Sequence, residues 1–112
     1  MEPDGMYSNA SKARLLNNLS NAVRLELLST LSKNEMSVGE LCSKIGMSQS
    51  AVSQHLAKLR SDGLVNTRRD AQTIYYRCAN PGVQRVLNLL DEIFSPEFSA
   101  ENTYVFKGSN KA

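Results

Sequence analysis

Apolar residues recur at helical spacing along most of the chain, and that period is broken once. Ala13, Leu16 and Leu19 fall three residues apart, which predicts a helix over 10–19. Val23, Leu27 and Leu31 share one line with Leu28 beside them, and Asn21 suits an N-cap, so a second helix is expected over 22–33. Asn34-Glu35-Met36 reads as a short turn. Ser37-Val38-Gly39-Glu40 has the form of a capping box, in which the serine oxygen accepts an amide and the glutamate reaches back to the cap. It opens a short third helix with Val38, Leu41, Cys42 and Ile45 turned inward. Gly46 suits the end of that helix, because glycine tolerates the left-handed conformation. Ser48 then caps a fourth helix from Gln49 to about Ser61, which Asp62-Gly63 ends.

The period changes after Gly63. Leu64 to Arg69 and Thr73 to Cys78 are rich in β-branched and aromatic residues, with a tight turn at Asp70-Ala71-Gln72 between them. This predicts a hairpin with Arg68 and Arg69 at its tip. Helical spacing returns with Val83, Val86, Leu87, Leu90, Ile93 and Phe94, after an Asn80-Pro81 start that suits N-cap and first helical position. Pro96 stops it. A short helix, a turn at Gly46-Met47-Ser48 and a longer helix have the form of a helix-turn-helix. A basic hairpin behind them makes the expected fold a winged helix: mostly α, with four helices, a β-hairpin wing and a fifth helix. Residues 1–9 are expected to be a flexible N-terminus, 10–95 the winged helix-turn-helix, and 96–112 a polar tail holding Tyr104-Val105-Phe106.

The chain has 112 residues, which suits one domain and rules out a large two-domain enzyme. With 41% hydrophobic and 21% charged residues, it is neither a disordered nor a disulfide-stapled class. No apolar run approaches the ~20 residues of a membrane helix, so no membrane association is expected. Met1 to Gly5 lacks the basic start and apolar stretch of a secretory signal, which points to the cytoplasm. There Cys42 and Cys78 are expected to be free thiols. A single histidine, no glycine-rich phosphate loop and no spaced carboxylate pair argue against an enzyme, a metal site or a cofactor.

The net charge of +2 matters less than its distribution. Residues 48–78 carry Lys58, Arg60, Arg68, Arg69 and Arg77 against Asp62 and Asp70, a net +3. Residues 79–106 carry Arg85 against Asp91, Glu92, Glu97 and Glu101, a net −3. A basic segment beside an acidic one implies a surface that faces a polyanion and another turned away from it.

On a helical wheel of Gln49–Ser61, Val52, Leu56 and Leu59 cluster within about 60° and must face the core. Ser50, Gln54, Ala57, Lys58 and Ser61 lie opposite, with Gln49, Ser53 and Arg60 on the flank, and no acid occurs from Met47 to Ser61. Small side chains let a helix approach base edges, glutamine pairs with adenine, and serine donates or accepts, so this face suits the major groove of double-stranded DNA. Ser48 stands at the helix N-terminus, where free amides favour a phosphate. His55 lies near the core side of the wheel and is expected to be partly buried with a hydrogen bond, for which a DNA phosphate is a candidate partner. At the wing, Arg68, Arg69, Gln72 and Thr73 suit phosphate or minor-groove contact, which adds affinity more than sequence choice.

These residues resemble a known family, the ArsR/SmtB winged-helix regulators. The resemblance is carried by Asn21–Leu28, Ser37–Leu41, Ser48–Arg60, Gly63-Leu64-Val65 and Arg68–Tyr76, within a match over about 10–95, and it favours the rhizobial nodulation-gene repressor subgroup. It implies a homodimer held by the first and last helices, repressing transcription from a pseudo-palindromic operator. The candidate interface residues are Ala13, Leu16, Leu19, Val86, Leu87, Leu90, Ile93 and Phe94, since these two helices hold more apolar positions than one small core needs. Half-sites are then expected ~34 Å or a multiple apart.

The resemblance also bears on sensing. One family metal site uses a Glu-Leu-Cys-x-Cys run; Glu40-Leu41-Cys42 matches, but Ser43-Lys44 follows, and a lone thiolate beside an ammonium is a poor soft-metal site. Another uses Asp and His pairs on the last helix, which here offers Asp91 and Glu92 but no histidine. The family's persulfide sensors pair two cysteines whose positions correspond here to Ser29 and Ser95. The expectation is therefore a DNA-binding repressor with no intact metal site and no identified effector. The alternatives are a winged-helix protein–protein module and a thiol-responsive repressor using Cys42 and Cys78.

Overall fold

The computed structural model describes residues 8–96. Residues 1–7 and the tail from 97, including Tyr104-Val105-Phe106, lie outside the described residues. The chain divides into two compact units, one ending at Asn80 and one beginning at Pro81. The first holds α1 (Asn9–Leu19), α2 (Ala22–Lys33), β1 (Met36–Ser37), α3 (Val38–Ile45), α4 (Gln49–Ser61), β2 (Asn66–Asp70) and β3 (Thr73–Arg77). The second holds α5 (Pro81–Ile93).

Local polar residues set the helix boundaries by satisfying amides that have no partner within the helix. Ser8 Oγ accepts from the Ser11 amide at 3.2 Å, so α1 begins one residue before the periodicity predicts. Asn21 Oδ1 accepts from the Arg24 amide at 3.0 Å at the start of α2. The capping box of α3 is complete: Glu40 N donates to Ser37 Oγ at 3.2 Å, and Ser37 N donates to Glu40 Oε1 at 2.9 Å. Ser48 Oγ accepts from Ala51 N at 3.2 Å and opens α4. Gly46 closes α3 in the left-handed region at φ 79°. Gly63, at φ 78°, closes α4. There Gly63 N donates to Arg60 O at 3.0 Å and Leu64 N to Leu59 O at 2.9 Å, the paired bonds of a Schellman end, with both leucines buried.

The core of the first unit is aliphatic. Leu27, Leu28, Leu41, Val52, Leu56 and Leu59 are fully buried, with Leu19, Leu31, Leu64, Val65 and Cys78 nearly so. The predicted inner line of α4, Val52, Leu56 and Leu59, is the buried one. In α1 the candidate interface residues divide between core and surface. Asn18 and Leu19 are buried and Leu15 half-buried, whereas Ala13 and Leu16 face solvent. Leu16 and Leu19 stand about 60° apart on the wheel, and only Leu19 turns inward. In α3, Leu41 takes the core position, and Val38, Cys42 and Ile45 are half-buried beside it.

The sheet has three antiparallel strands in the order β1-β3-β2. The segment read as a turn ending at Met36 runs instead into a strand: Met36 pairs with Tyr76 and Ser37 with Tyr75. In the hairpin, Asn66 pairs with Arg77 and Asp70 with Thr73, leaving a two-residue turn at Ala71-Gln72. Ala71 takes φ 59°, the left-handed conformation that this turn demands. Directly paired residues share a face, so Arg68, Asp70, Thr73, Tyr75 and Arg77 lie on one face of the sheet. Thr67, Arg69, Ile74 and Tyr76 lie on the other, the face that also carries the buried Val65 and Cys78.

In the second unit, Val83 and Leu87 are buried one helical turn apart on α5. Val86, Leu90 and Ile93 are half-buried, and Leu89 and Phe94 are 52% and 55% exposed.

Candidate nucleic-acid interface

The helix-turn-helix sets α4 with its leucine line inward, so its polar residues must face out. Ser48, Gln49, Ser50, Gln54 and Arg60 are exposed; Ser53, His55 and Lys58 are half-buried on the flanks. The hydroxyls of Ser48 and Ser50 stand 3.4 Å apart at the N-terminus. No acidic residue lies on this face. The first one, Asp62, comes after the last turn, where its Oδ2 draws Lys58 Nζ to 3.7 Å and accepts from Asn18 Nδ2 at 2.8 Å. Those bonds hold the Asp62 carboxyl below the ordinary carboxylate range; the Asn18 hydrogen bond is the main cause, burial opposes it, and Lys58 and Arg14 assist. Asn18 is buried. The same nitrogen also donates to Arg14 O at 3.0 Å, and two acceptors at one end of the amide identify that end as the NH2.

His55 is half-buried, as its place on the wheel suggests, but its partner comes from within the fold. Arg24 reaches from α2 and puts a guanidinium nitrogen 3.4 Å from His55 Nδ1. Arg24 has no role of its own in the sequence reading, since nothing local sets it apart from the other polar residues of α2, Glu26 and Lys33 among them.

At the wing the two arginines separate. Arg68 was expected at the tip, free for a phosphate. It lies two residue pairs from the turn instead, opposite Tyr75, on the outer face of the sheet. Its Nε donates to Glu35 Oε2 at 2.7 Å, Asp70 lies at 4.0 Å, and its guanidinium stacks over the Tyr75 ring at 4.7 Å. The Arg68 hydrogen bond holds the Glu35 carboxyl down and Glu35 in turn holds the Arg68 guanidinium up, with burial opposing both shifts. Arg69 sits on the opposite face, exposed, and makes no ion pair among the described residues. Gln72 and Thr73 are exposed beside the turn. Thus Arg69, Gln72 and Thr73 remain open at the wing, while Arg68 braces β2 against the residue that leads into β1.

Both cysteines are free thiols. Cys78 is buried; burial pushes its thiol up, and a hydrogen bond to the Asn80 backbone offsets only part of that. A buried, protonated thiol is a poor nucleophile, which weighs against a redox role for the Cys42 and Cys78 pair. In the Glu-Leu-Cys run, the Glu40 carboxylate is occupied by its own capping box. Among the described residues no helix is long and apolar enough to cross a membrane.

Residues 21–67, from the cap of α2 through the helix-turn-helix into β2, match the model of a family described as bacterial regulatory protein, arsR family. The chain belongs to the ArsR family. It is 49% identical over 90 residues to the transcriptional activator HlyU of Vibrio cholerae, covering 80% of this chain and 83% of that protein. It is 45% identical over 95 residues to the biofilm growth-associated repressor of Xylella fastidiosa, covering 84% and 83%. Among solved structures, NolR from Sinorhizobium fredii is similar at 47% identity and a TM-score of 0.76, over 84% of this chain and 94% of that one. A homodimeric winged helix-turn-helix DNA-binding domain, Mb0332 of Mycobacterium bovis, is similar at 30% identity and a TM-score of 0.71, over 83% and 86%. The chain is therefore a winged-helix, DNA-binding transcriptional regulator and not an enzyme, as its residues predict.

Proposed function

We propose that this ArsR-family chain acts in the cytoplasm as a homodimeric repressor, laying one α4 from each protomer into successive major grooves of a pseudo-palindromic operator. The observation that carries this reading is the outer face of α4, free of acids and lined by serine and glutamine. Gln49, Ser50, Ser53 and Gln54 are the base-reading residues, because amide and hydroxyl groups match base edges. His55, Lys58 and Arg60, with Ser48 at the helix N-terminus, contact backbone phosphate, and Arg69, Gln72 and Thr73 extend that contact at the wing. Arg68 braces the wing.

The dimer is formed by α1 and α5 through side chains that face outward in one protomer. On α1 these are Ala13 and Leu16, the latter 62% exposed. On α5 and just after it they are Leu89 and Phe94, with the half-buried Val86, Leu90 and Ile93 beside them. Leu19 and Leu87, whose side chains are buried, support these surfaces from within. The homodimeric relative supports the assembly. A relative named as a repressor supports repression, although HlyU is named as an activator.

The test is a pair of titrations against a duplex selected from a random pool and a scrambled duplex. Gln49→Ala or Ser53→Ala should weaken binding to the selected duplex by ~1–3 kcal/mol per lost base contact and leave the scrambled one unchanged. Equal losses on both duplexes remove base reading from α4.

A further inference from the structure

Arg24 binds three partners with three different nitrogens. Nε donates to Asn18 O at 2.9 Å, and one terminal nitrogen donates to Asn17 O at 2.9 Å. Both carbonyls belong to the last turn of α1, where a cation is favoured; the Asn17 carbonyl also accepts from Ser20 N at 3.1 Å and Ser20 Oγ at 2.7 Å. Held at two points, the planar guanidinium has little freedom left. Its remaining nitrogen stands 3.4 Å from His55 Nδ1 on α4.

A guanidinium has donors only, so the ring nitrogen facing it must accept. The neutral imidazole then carries its proton on Nε2, the nitrogen farther from the backbone. A ring N–H at Nε2 suits an anionic phosphate oxygen; the other tautomer presents a lone pair there and repels it. We infer that Arg24 is a positioning residue for DNA binding: anchored on the end of α1, it selects the Nε2–H tautomer of His55, and that ring donates to the phosphate backbone beside α4. This rests on the reading that α4 lies against DNA, and it adds a residue that touches no nucleotide.

A double-substitution cycle tests it on the full chain with one random-sequence duplex at low ionic strength, since a phosphate contact is blind to sequence. His55→Ala should weaken binding about tenfold, the worth of one hydrogen bond to a charged group, and Arg24→Gln, which leaves the ring free to turn and to take either tautomer, by a smaller factor. The double variant should bind no more weakly than His55→Ala alone. His55→Gln, whose amide stands near the place of Nε2–H, should bind more tightly than His55→Asn, whose amide mimics Nδ1. Should Arg24→Gln fail to fold, Arg24→Lys, which keeps a cation on the α1 carbonyls, replaces it in the cycle. His55 is the chain's only histidine, so the imidazole nitrogen spectrum of the labelled free protein holds one ring. It should show the Nε2–H pattern, and Arg24→Gln should raise the share of the Nδ1–H form. An Nδ1–H pattern, additive losses in the cycle, or equal binding by His55→Gln and His55→Asn overturns the assignment and leaves the DNA reading intact. If the wild type binds no duplex at all, both fall.

Discussion

Asp62 ends the recognition helix and also sets part of the pH response of the fold. Its carboxyl is held below the ordinary range chiefly by the Asn18 N–H bond, with Lys58 and Arg14 assisting against burial. A carboxyl whose pKa is depressed by folding stabilises the fold above its unfolded pKa and loses that contribution as pH falls through the folded value. The melting temperature should therefore fall as pH drops below about 4, and Asp62→Asn should flatten that slope; thermal unfolding across a pH series measures it. At the wing, Arg69→Ala should weaken binding to every duplex alike and reduce the salt slope by about one phosphate. Arg68→Ala should leave that slope unchanged, because the Arg68 guanidinium is already engaged by Glu35 and Tyr75. Salt titrations of the two variants side by side separate them.

Among the elements, the helices were legible because their signals are local. Asn21, Ser37 with Glu40, and Ser48 each cap the helix that the sequence assigns to them, and Pro81 opens α5. Gly46 is required at its place by φ 79° and not by crowding, since an added Cβ there meets nothing within 4 Å. Gly46→Ala should thus cost about 1 kcal/mol of backbone strain, seen as a lower urea midpoint with an unchanged slope. The converse holds at Ala71, the non-glycine residue at positive φ among those described. Ala71→Gly should raise stability by up to about 1 kcal/mol while leaving the hairpin register intact. The strand β1 escaped the sequence reading because two residues carry no period. Its partners, Tyr75 and Tyr76, are nearly forty residues away, and only tertiary pairing defines it.

For the whole molecule, the isolated protomer leaves Leu16, Leu89 and Phe94 exposed, large apolar side chains that a dimer contact would cover. Leu16→Glu should shift the protein toward monomer in sedimentation velocity. Its helical circular dichroism should stay unchanged, because the side chain contributes little to the core of its own protomer. Affinity for a two-half-site duplex should fall much further than affinity for a single half-site, since the second contact would lose its tether.

The order of the helices and the hairpin, the capped helix ends, the apolar line inside α4 and the acid-poor face outside it were all written in local pattern. Each depends on side-chain spacing or on groups within four residues of one another, so the sequence determines them without reference to the rest of the fold. The tertiary structure decided which cations remain open. Arg68 and Arg69 are neighbours of equal charge, yet strand alternation sends them to opposite faces, and only Arg68 meets Glu35. It also chose Leu19 over Leu16 for the core and brought Arg24 beside His55. These outcomes depend on distances between segments far apart in the chain. Periodicity shows that a side chain has a face, but only packing determines what that face meets.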